Sequence, residues 1–519
     1  MSADSYSQKL LRIDLTSRTA TVEAVPSEVI RRYIGGGGLG VKYVFDEVPP
    51  GTDPLGPGNK LVFACGPFTG TSIPCASRMA VVSKSPLTGG IALALAGGHF
   101  PVELRNSGYI AIIVEGASDR PLYVAISGEN VRFVDGAHVW GTRTSDCQQI
   151  IKDELKNQNY RVACIGPAGE KLSRLSCIIN ERRATGRKGF GAIMSAKNLK
   201  AIAVLGTGSV GIADEGSYRR GLKEMRHWMQ ERPVLYPFFS KYGTSEGIDG
   251  HSAKGVFPGR NFTATGEFAP VETLGAEARR SQTIGRAFCA GCPVGCGQLM
   301  LAKTGRYAGI MAEGPEYETV YSFGGQTGVD NLDSIITADR LSDELGVDTI
   351  SVGVTIGFAM ELFECGLLTS DDVDGLDLSF GNYESMLTLL EKMAMREGFG
   401  DVLADGVRMA AARLGKETEH YAMHVKGLEL AGYDPRGAKA HGLNFATAFC
   451  GAITTAATPS RSSSEPRSPF QSIASAPIER ASSRNGTRTS AWPPATVRPC
   501  VHLYLTRLWL HTRSRTPPR

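Results

Sequence analysis

The chain has 519 residues, too many for one hydrophobic core, so two to four domains are expected. Hydrophobic residues make up 42% and charged residues 21%, which excludes a disordered or collagen-like chain. The formal net charge is +4, but residues 452–519 alone hold ten Arg, no Lys and two Glu, or +8, leaving −4 for the body.

Met1–Leu15 lacks the basic-then-apolar pattern of a signal peptide, and no run reaches the length of a membrane helix. The expectation is a soluble, cytoplasmic chain with no membrane partner. Eleven cysteines fit a reducing compartment. Cys65, Cys75, Cys147, Cys164, Cys177 and Cys365 read as scattered buried thiols, whereas Cys289, Cys292 and Cys296 cluster. Glycine is abundant, at 62 residues, and groups at Gly35–Gly38, Gly97–Gly98 and Gly324–Gly325 suit tight turns and close backbone approach to a ligand.

Taken in chain order, residues 1–210 read as β-rich. Short Val, Ile and Leu runs predict strands at Lys9–Leu15, Lys60–Ala64, Met79–Ser83, Ile110–Glu115, Leu122–Ile126, Arg161–Ile165 and Leu199–Leu205. From Gly211 the period becomes helical. Helices are predicted at Glu215–Glu231, Asp333–Leu345, Val352–Glu364, Tyr383–Arg396 and Asp401–Leu414, several stopping at Gly346, Gly366, Gly398 and Gly415. A domain over 211–415 and the start of another over 416–451 follow. Residues 452–519 are rich in Ser, Arg and Pro without a period. They fit a disordered basic tail or a GC-rich coding sequence read out of frame, the second preferred. No nucleic-acid motif accompanies the arginines, so no nucleic-acid partner is expected.

Cys289-Ala-Gly-Cys292-Pro-Val-Gly-Cys296 carries the strongest chemical signal. Three thiolates so spaced can converge on an iron–sulfur cluster, with Gly291 and Gly295 letting the backbone wrap it; a [4Fe–4S] cluster needs a fourth ligand. The spacing is the reverse of the radical-enzyme order. A zinc knuckle is the alternative, but the next cysteine, Cys365, is too distant for a compact one.

With this motif in hand, seven further segments fall into a known order. They are Gly66-Pro-Phe-Thr-Gly70, Ser83–Gly89, Gly166-Pro-Ala-Gly169, Arg183-Ala-Thr-Gly-Arg187, Glu313–Glu318, Asp343–Asp348 and Tyr433-Asp-Pro-Arg-Gly437. Over about Leu10–Gly451 the chain resembles the tungsten-containing aldehyde:ferredoxin oxidoreductases. The resemblance implies an α+β fold, with a β-rich pterin-binding base domain followed by two largely helical domains, the last incomplete. It implies a tungsten or molybdenum bis-pterin, a [4Fe–4S] cluster and electron transfer to ferredoxin or a similar acceptor. The implied reaction is oxidation of a small aldehyde to its carboxylic acid.

Residue by residue, Arg78, Gly97, Arg183, Ala184, Gly186 and Arg187 match pterin-contacting positions, as do Asp343, Val347 and Asp348. Glu318 matches the acidic residue beside the metal and is assigned the general base. His441 lies close to where the family places a histidine and is assigned carbonyl orientation. Taken alone, Arg182-Arg183 and Arg187-Lys188 would read as a solvated basic turn.

The chain also departs from the pattern. A pterin-contacting asparagine appears as Leu95. The segment that can hold a bridging iron at a dimer interface appears as Thr337-Ala-Asp-Arg340, so no such iron is expected. A homodimer and a complex with electron-transfer subunits both stay open. The family's C-terminal Asp-x-x-Gly-x-Cys motif, which supplies the fourth cluster cysteine, is not found after Cys296. Two alternatives follow: a benzoyl-CoA-type aromatic thioester reductase of the same wider family, or an inactive truncated product without cofactor.

Overall fold

The computed structural model describes residues 8–231, 236–266, 270–415 and 417–453. Apart from Ala452 and Ile453, the expected aberrant tail lies outside the described residues, and Cys500 with it.

Two six-stranded sheets make up the first part of the chain. The first has the order β2 (Thr19–Val25), β1 (Gln8–Asp14), β6 (Tyr109–Glu115), β3 (Leu61–Cys65), β4 (Met79–Lys84), β5 (Ile91–Ala96). The second has the order β11 (Arg183–Thr185), β10 (Ile178–Asn180), β9 (Arg161–Cys164), β12 (Leu199–Leu205), β7 (Leu122–Ser127), β8 (Asn130–Asp135). Within each sheet one pair is parallel, β1 with β6 and β7 with β12, and the other pairs are antiparallel.

Side-chain alternation explains the layering. Leu11, Ile13, Phe63, Val81, Ile112 and Val114 face the second sheet and pack with Val124, Ile126, Ile178, Ile202 and Val204. Their neighbours Leu10, Val62, Ala64, Val82 and Ile113 point the other way, onto Leu39, Tyr43 and Val44 of the Gly36–Glu47 helix. On the far side Tyr123, Val162, Ala201 and Ala203 pack on Cys147 and Ile151 of the Thr144–Glu154 helix. The inner strands are buried on both faces, which is why they read as unbroken apolar runs.

All seven predicted strands are present within two residues at either end. Sequence reading passed over β2, β5, β8, β10 and β11. β2 and β8 are edge strands with mostly polar, exposed residues, and β10 and β11 have three residues each. The Gly35–Gly38 group stands at the start of the Gly36–Glu47 helix. That helix is pressed so close to the sheet that a Cβ at Gly37 or Gly40 would strike Leu93 or Val82.

Beyond residue 210 the chain is largely helical, and the α+β class expected from sequence is the one observed. The Leu332–Leu345, Thr349–Glu364 and Tyr383–Met395 helices are capped by the side chains of Asn331, Asp348 and Asn382. Residues Ser351–Leu362 are buried throughout, so the Thr349–Glu364 helix is the spine of this part. It packs so tightly on the π-helical turn Tyr321–Gly325 that a Cβ on Gly353 would lie 2.6 Å from the Ser322 carbonyl carbon.

Two predicted helices need correction. The Asp401–Leu414 stretch is two helices, Phe399–Leu403 and Val407–Leu414, because Gly406 takes a left-handed backbone (φ +83°) and Glu429 accepts the Val407 N–H at 3.1 Å. The helix predicted from Val352 begins at Thr349, with Asp348 as its N-cap. Of the cysteines expected to be buried, Cys75 and Cys365 are exposed. No helix among the described residues is long and apolar enough to cross a membrane.

The spine contact supplies a stability test. Gly353→Ala forces backbone apart and is expected to destabilise by about 1–3 kcal/mol. Gly51→Ala, with nothing within 4 Å of its added methyl, is expected to stay within about 0.5 kcal/mol of the wild type. Thermal unfolding of the two variants side by side checks the assignment; equal midpoints would refute it.

Candidate functional site

The sites named from sequence lie along the junction between the sheets and the helical part. Backbone pairing makes that junction: Cys177 N–H donates to Gly346 O at 2.8 Å and Asp348 N–H to Leu175 O at 2.9 Å, and Ser176 bridges Val347. Gly346, in a left-handed turn (φ +72°), touches Gly166 so closely that a Cβ would sit 2.7 Å from its nitrogen. Val347 is therefore a bridge residue of the junction, and Asp343 and Asp348 are carried to the edge of the second sheet.

One neighbourhood gathers round Cys289. The three motif cysteines occupy the loop between β13 (Thr283–Ala287) and β14 (Gly297–Leu301). Gly98 N–H points at the Cys289 sulfur at 3.3 Å, and a Cβ on Gly97 would come 2.8 Å from that sulfur. Gly97 is thus a position where only glycine lets the cysteine loop close on the sheet. Arg183 ion-pairs with Glu313, and the charges of Cys289 and Cys296 also act on it. Gly291 and Gly295 both take left-handed backbone, as the wrapping loop requires.

A fourth cysteine lies here that sequence reading set aside as an isolated buried thiol. The Cys75 sulfur is 3.8 Å from that of Cys292, and the backbone N–H groups of Cys75, Val294 and Gly295 also aim at the Cys292 sulfur. Led by the Cys75 thiol, these donors hold Cys292 down to about 5, while burial pushes Cys296 up to about 11. Among the described residues no three or more His, Cys, Asp or Glu side chains converge on one point as ligands of a single ion do. Thiolates of a polynuclear cluster each take a different iron, so they surround a volume instead of a point.

The second neighbourhood gathers round Glu318. Its carboxylate accepts the Gly432 N–H at 2.8 Å, and burial pushes its carboxyl up to about 7. Arg187 and Asp348 are the charges that act on it. Arg187 donates to the Glu429 carbonyl and, at 2.8 Å, to Ala452 O, and its Nε lies 3.7 Å from Asp348. The solvated basic turn considered for these residues is not observed: Arg187 and Lys188 are buried, and burial lowers Lys188 to about 8. Gly186 is fitted against Asp348, whose Oδ1 would be 3.0 Å from a Cβ.

His441 stacks on Tyr433 at 4.2 Å between ring centres, and burial lowers its basicity. Its Nδ1 is buried without a hydrogen bond. A second histidine, missed from sequence, meets the same group: His251 lies edge-on to Tyr317 (5.2 Å) and Tyr433 (5.3 Å), and its Nδ1 also has no hydrogen bond. Tyr317 and Tyr433 both act electrostatically with Glu318. Nothing in the short helix Gly247–Ala253 marks His251 locally, since its importance comes from contacts with residues 66 and 182 positions away.

The two neighbourhoods are joined by acids. Burial pushes Asp343 up to about 7, with Arg340, Glu313 and Arg182 among the charges around it. Ala184, exposed, pairs with Ile179 in the β10–β11 hairpin. Arg78 is exposed on the loop before β4, close enough to Cys75 for its charge to act there. Leu95, where an asparagine was looked for, is 42% exposed.

Residues 10–206 match the N-terminal domain of aldehyde ferredoxin oxidoreductase, and residues 220–486 match its domains 2 and 3. The chain is 42% identical over 449 residues to the tungsten-containing aldehyde ferredoxin oxidoreductase of Pyrococcus horikoshii, covering 85% of this chain and 72% of that protein. It is 40% identical over 443 residues to the one from Pyrococcus furiosus, with the same coverage. An aliphatic sulfonate oxidoreductase WOR-like subunit of Pyrococcus furiosus is 30% identical over 457 residues, covering 83% of this chain and 72% of that protein. Among solved structures, the active-site complex BamBC of benzoyl coenzyme A reductase, in complex with 1,5-dienoyl-CoA, superposes with a TM-score of 0.78 at 26% identity, covering 96% of this chain and 78% of that one. The chain belongs to the aldehyde ferredoxin oxidoreductase family and is an oxidoreductase.

Proposed function

We propose that this chain oxidises small aldehydes to carboxylic acids, with Glu318 as the proton acceptor. The observation that carries this reading is the Glu318 carboxyl, raised to about 7 beside the Tyr433–His441 stack. A general base works best with a pKa near the working pH, and burial brings Glu318 there.

Family membership implies a tungsten- or molybdenum-pterin cofactor and an electron acceptor. The junction residues fit a large group with phosphates. Thr185 Oγ1 and Asn180 Oδ1 are buried there without hydrogen bonds, and Gly97 and Gly186 keep the backbone bare. Arg78, Gly97, Arg183, Ala184 and Gly186 would hold the group from the sheet side, and Asp343, Val347 and Asp348 from the helical side. Arg187 would act from the wall, its NH groups already fixed on carbonyls. When bound, the metal–pterin group supplies the two-electron acceptor. Cys289, Cys292 and Cys296 would hold a [4Fe–4S] cluster that passes electrons to ferredoxin or a similar acceptor.

The chain's own part is proton handling and orientation. Aldehyde and water yield acid, two electrons and two protons, and one proton goes to a Glu318 carboxylate oxygen. Gly432 N–H fixes that carboxylate. His441, held by its stack on Tyr433, offers a ring nitrogen to the aldehyde oxygen. His251 and Tyr317, packed against the Tyr433 ring, help exclude water from it.

Activity is expected to rise with pH through about 7, since the base form of Glu318 is needed. Glu318→Gln is expected to lower kcat by about 10²–10⁴-fold and flatten that limb. Aldehyde-dependent viologen reduction checks it; an unchanged pH profile would remove Glu318 from the mechanism. His441→Phe keeps the stack but loses the donor, and is expected to cost about 10²-fold in kcat at an unchanged unfolding midpoint.

A stability measurement needs no turnover. Between the ordinary carboxyl value of 4.5 and about 7, the folded chain keeps a proton on Glu318 that the unfolded chain has lost. Stability therefore falls as pH rises across that window. The Glu318→Gln variant lacks this loss, so its midpoint relative to wild type is expected to move upward from pH 4.5 to 7. A constant difference would mean that Glu318 is not desolvated.

A further inference from the structure

The cysteine loop meets the surface beside β13, which is an edge strand of a small sheet formed with β14 and β15 (Met311–Glu313). Alternation along β13 turns Ile284 and Arg286 outward, and Phe288, just before Cys289, continues the same exposed row. Ile284 is 55% exposed and Phe288 43%. One exposed apolar side chain is ordinary, but two on one face with an arginine between them make a patch. Phe288 is held in place. Its ring lies against Gly295, where a Cβ would strike it, and the Arg286 guanidinium carbon stands 5.2 Å from the ring centre. The patch therefore rests on the backbone between Cys292 and Cys296.

Cations flank the cysteine loop on two sides. On one side Ser240 Oγ donates to Val294 O at 2.6 Å and brings the Tyr236–Tyr242 helix against the loop. Lys241 and Arg280 both stand over the Tyr242 ring, at 4.4 and 6.0 Å from its centre. On the other side a Cβ on Gly291 would lie 3.6 Å from Thr71 O, and the next residue, Ser72, donates its N–H to the Tyr218 hydroxyl at 2.9 Å. That bond ties the Glu215–Gln230 helix to the mouth of the loop. Its Leu222, Met225 and Met229 turn inward, while Arg219, Arg220, Lys223 and Arg226 are exposed. The helix carries these four cations against two acids, Glu215 and Glu224, in a chain whose residues 1–451 sum to −4. Glu215 pairs with Arg219 at 3.2 Å, and Glu277, on the other side, accepts the Tyr242 hydroxyl at 2.7 Å.

We propose that Ile284, Arg286 and Phe288, with Arg220, Lys223 and Arg226 on the rim, dock a small acidic electron-carrier protein of the ferredoxin kind. The proposal rests on the cluster and acceptor reading given above and names the surface where the acceptor sits. An apolar centre ringed by charge is the usual anatomy of a protein interface. Redox encounters are small and are steered by complementary charge. Phe288 makes the central contact, next to the cysteine backbone, and the cations set the approach and orientation of an acidic partner. A second copy of this chain fits the surface poorly, since a two-fold contact would set Arg286 and the basic helix against their own equivalents. Arg286 between the two apolar side chains also discourages pairing of this strand edge with another strand.

The test measures binding of the full 519-residue chain to a purified small acidic ferredoxin by titration calorimetry, and needs no turnover. Arg286→Glu is expected to weaken binding about tenfold at low salt, and Lys223→Glu about threefold. Both differences are expected to shrink at about 1 M salt, where the screening length falls to about 3 Å. Phe288→Ala is expected to weaken binding about tenfold at either salt level, because an apolar contact is not screened. Arg132→Glu, on the far edge strand β8, makes the same change of net charge and is expected to match wild type. Lys223 lies on an exposed helix face, so its variant reads docking even where Phe288→Ala disturbs the cysteine loop. Equal weakening by Arg286→Glu, Lys223→Glu and Arg132→Glu, or none by any of them, would overturn the proposal and leave the acceptor reading standing. Self-association of the chain through this face, abolished by Phe288→Ala, would also overturn it. A wild type that does not bind ferredoxin at low salt would overturn both.

Discussion

The backbone pairing of residues 175–177 with 346–348 is the constraint on which the site depends. It is a small contact, two hydrogen bonds and a pair of glycines whose bare backbones touch. Its effect is to fix the helical part against the edge of the second sheet. Part of the proposed site follows it closely in the chain: Arg183 and Arg187 from the hairpin on one side, Asp343 and Asp348 from the helix ends on the other. A side chain at Gly166 or Gly346 would push these two edges apart. Glycine there is a packing requirement, and the left-handed turn at Gly346 also closes the preceding helix.

Around that junction the protein concentrates buried acids. Glu318, Asp343 and Glu313 all have carboxyls pushed upward, each with burial as the leading cause. The cations that partly offset this are few and committed, Arg183 to Glu313 and Arg187 to two carbonyls and Asp348. Such an arrangement is costly for stability alone, since isolated buried carboxylates are penalised heavily. Groups of this kind collect where protons are moved. The aromatic cluster of Tyr317, Tyr433, His251 and His441 covers the same place. It contributes apolar surface and two buried ring nitrogens, Nδ1 of His251 and of His441, without hydrogen bonds.

Sulfur chemistry lies at the other end of the junction, and there too the sheet is fitted to the loop. Gly97 leaves space for the Cys289 sulfur, and Gly98 points an amide at it. Amide donors to thiolate sulfurs tune a cluster's potential. The pairing of Cys75 with Cys292 adds a contact from the β3–β4 loop, so the cysteine loop is held from the sheet as well as from its own hairpin.

Much of this was legible in the residues, for definite reasons. Apolar runs gave the seven inner strands because those strands are buried on both faces, and glycine stops gave most helix ends. The CxxCxxxC spacing pointed to a cluster, because three thiolates that close in sequence have few other uses. The order of eight short segments indicated the family, which the comparisons then bore out. What sequence alone could not give was proximity. Cys75 looked like any scattered thiol until the fold placed it against Cys292, and nothing in the sequence marked His251, which Tyr317 and Tyr433 enclose. Gly406 looked like an interior helix residue until Glu429 arrived to cap the next helix. Local pattern is set by neighbours in the chain and survives in the sequence. Contacts across 20 to 250 residues are set by how the sheets and helices pack, and only the tertiary structure decides them.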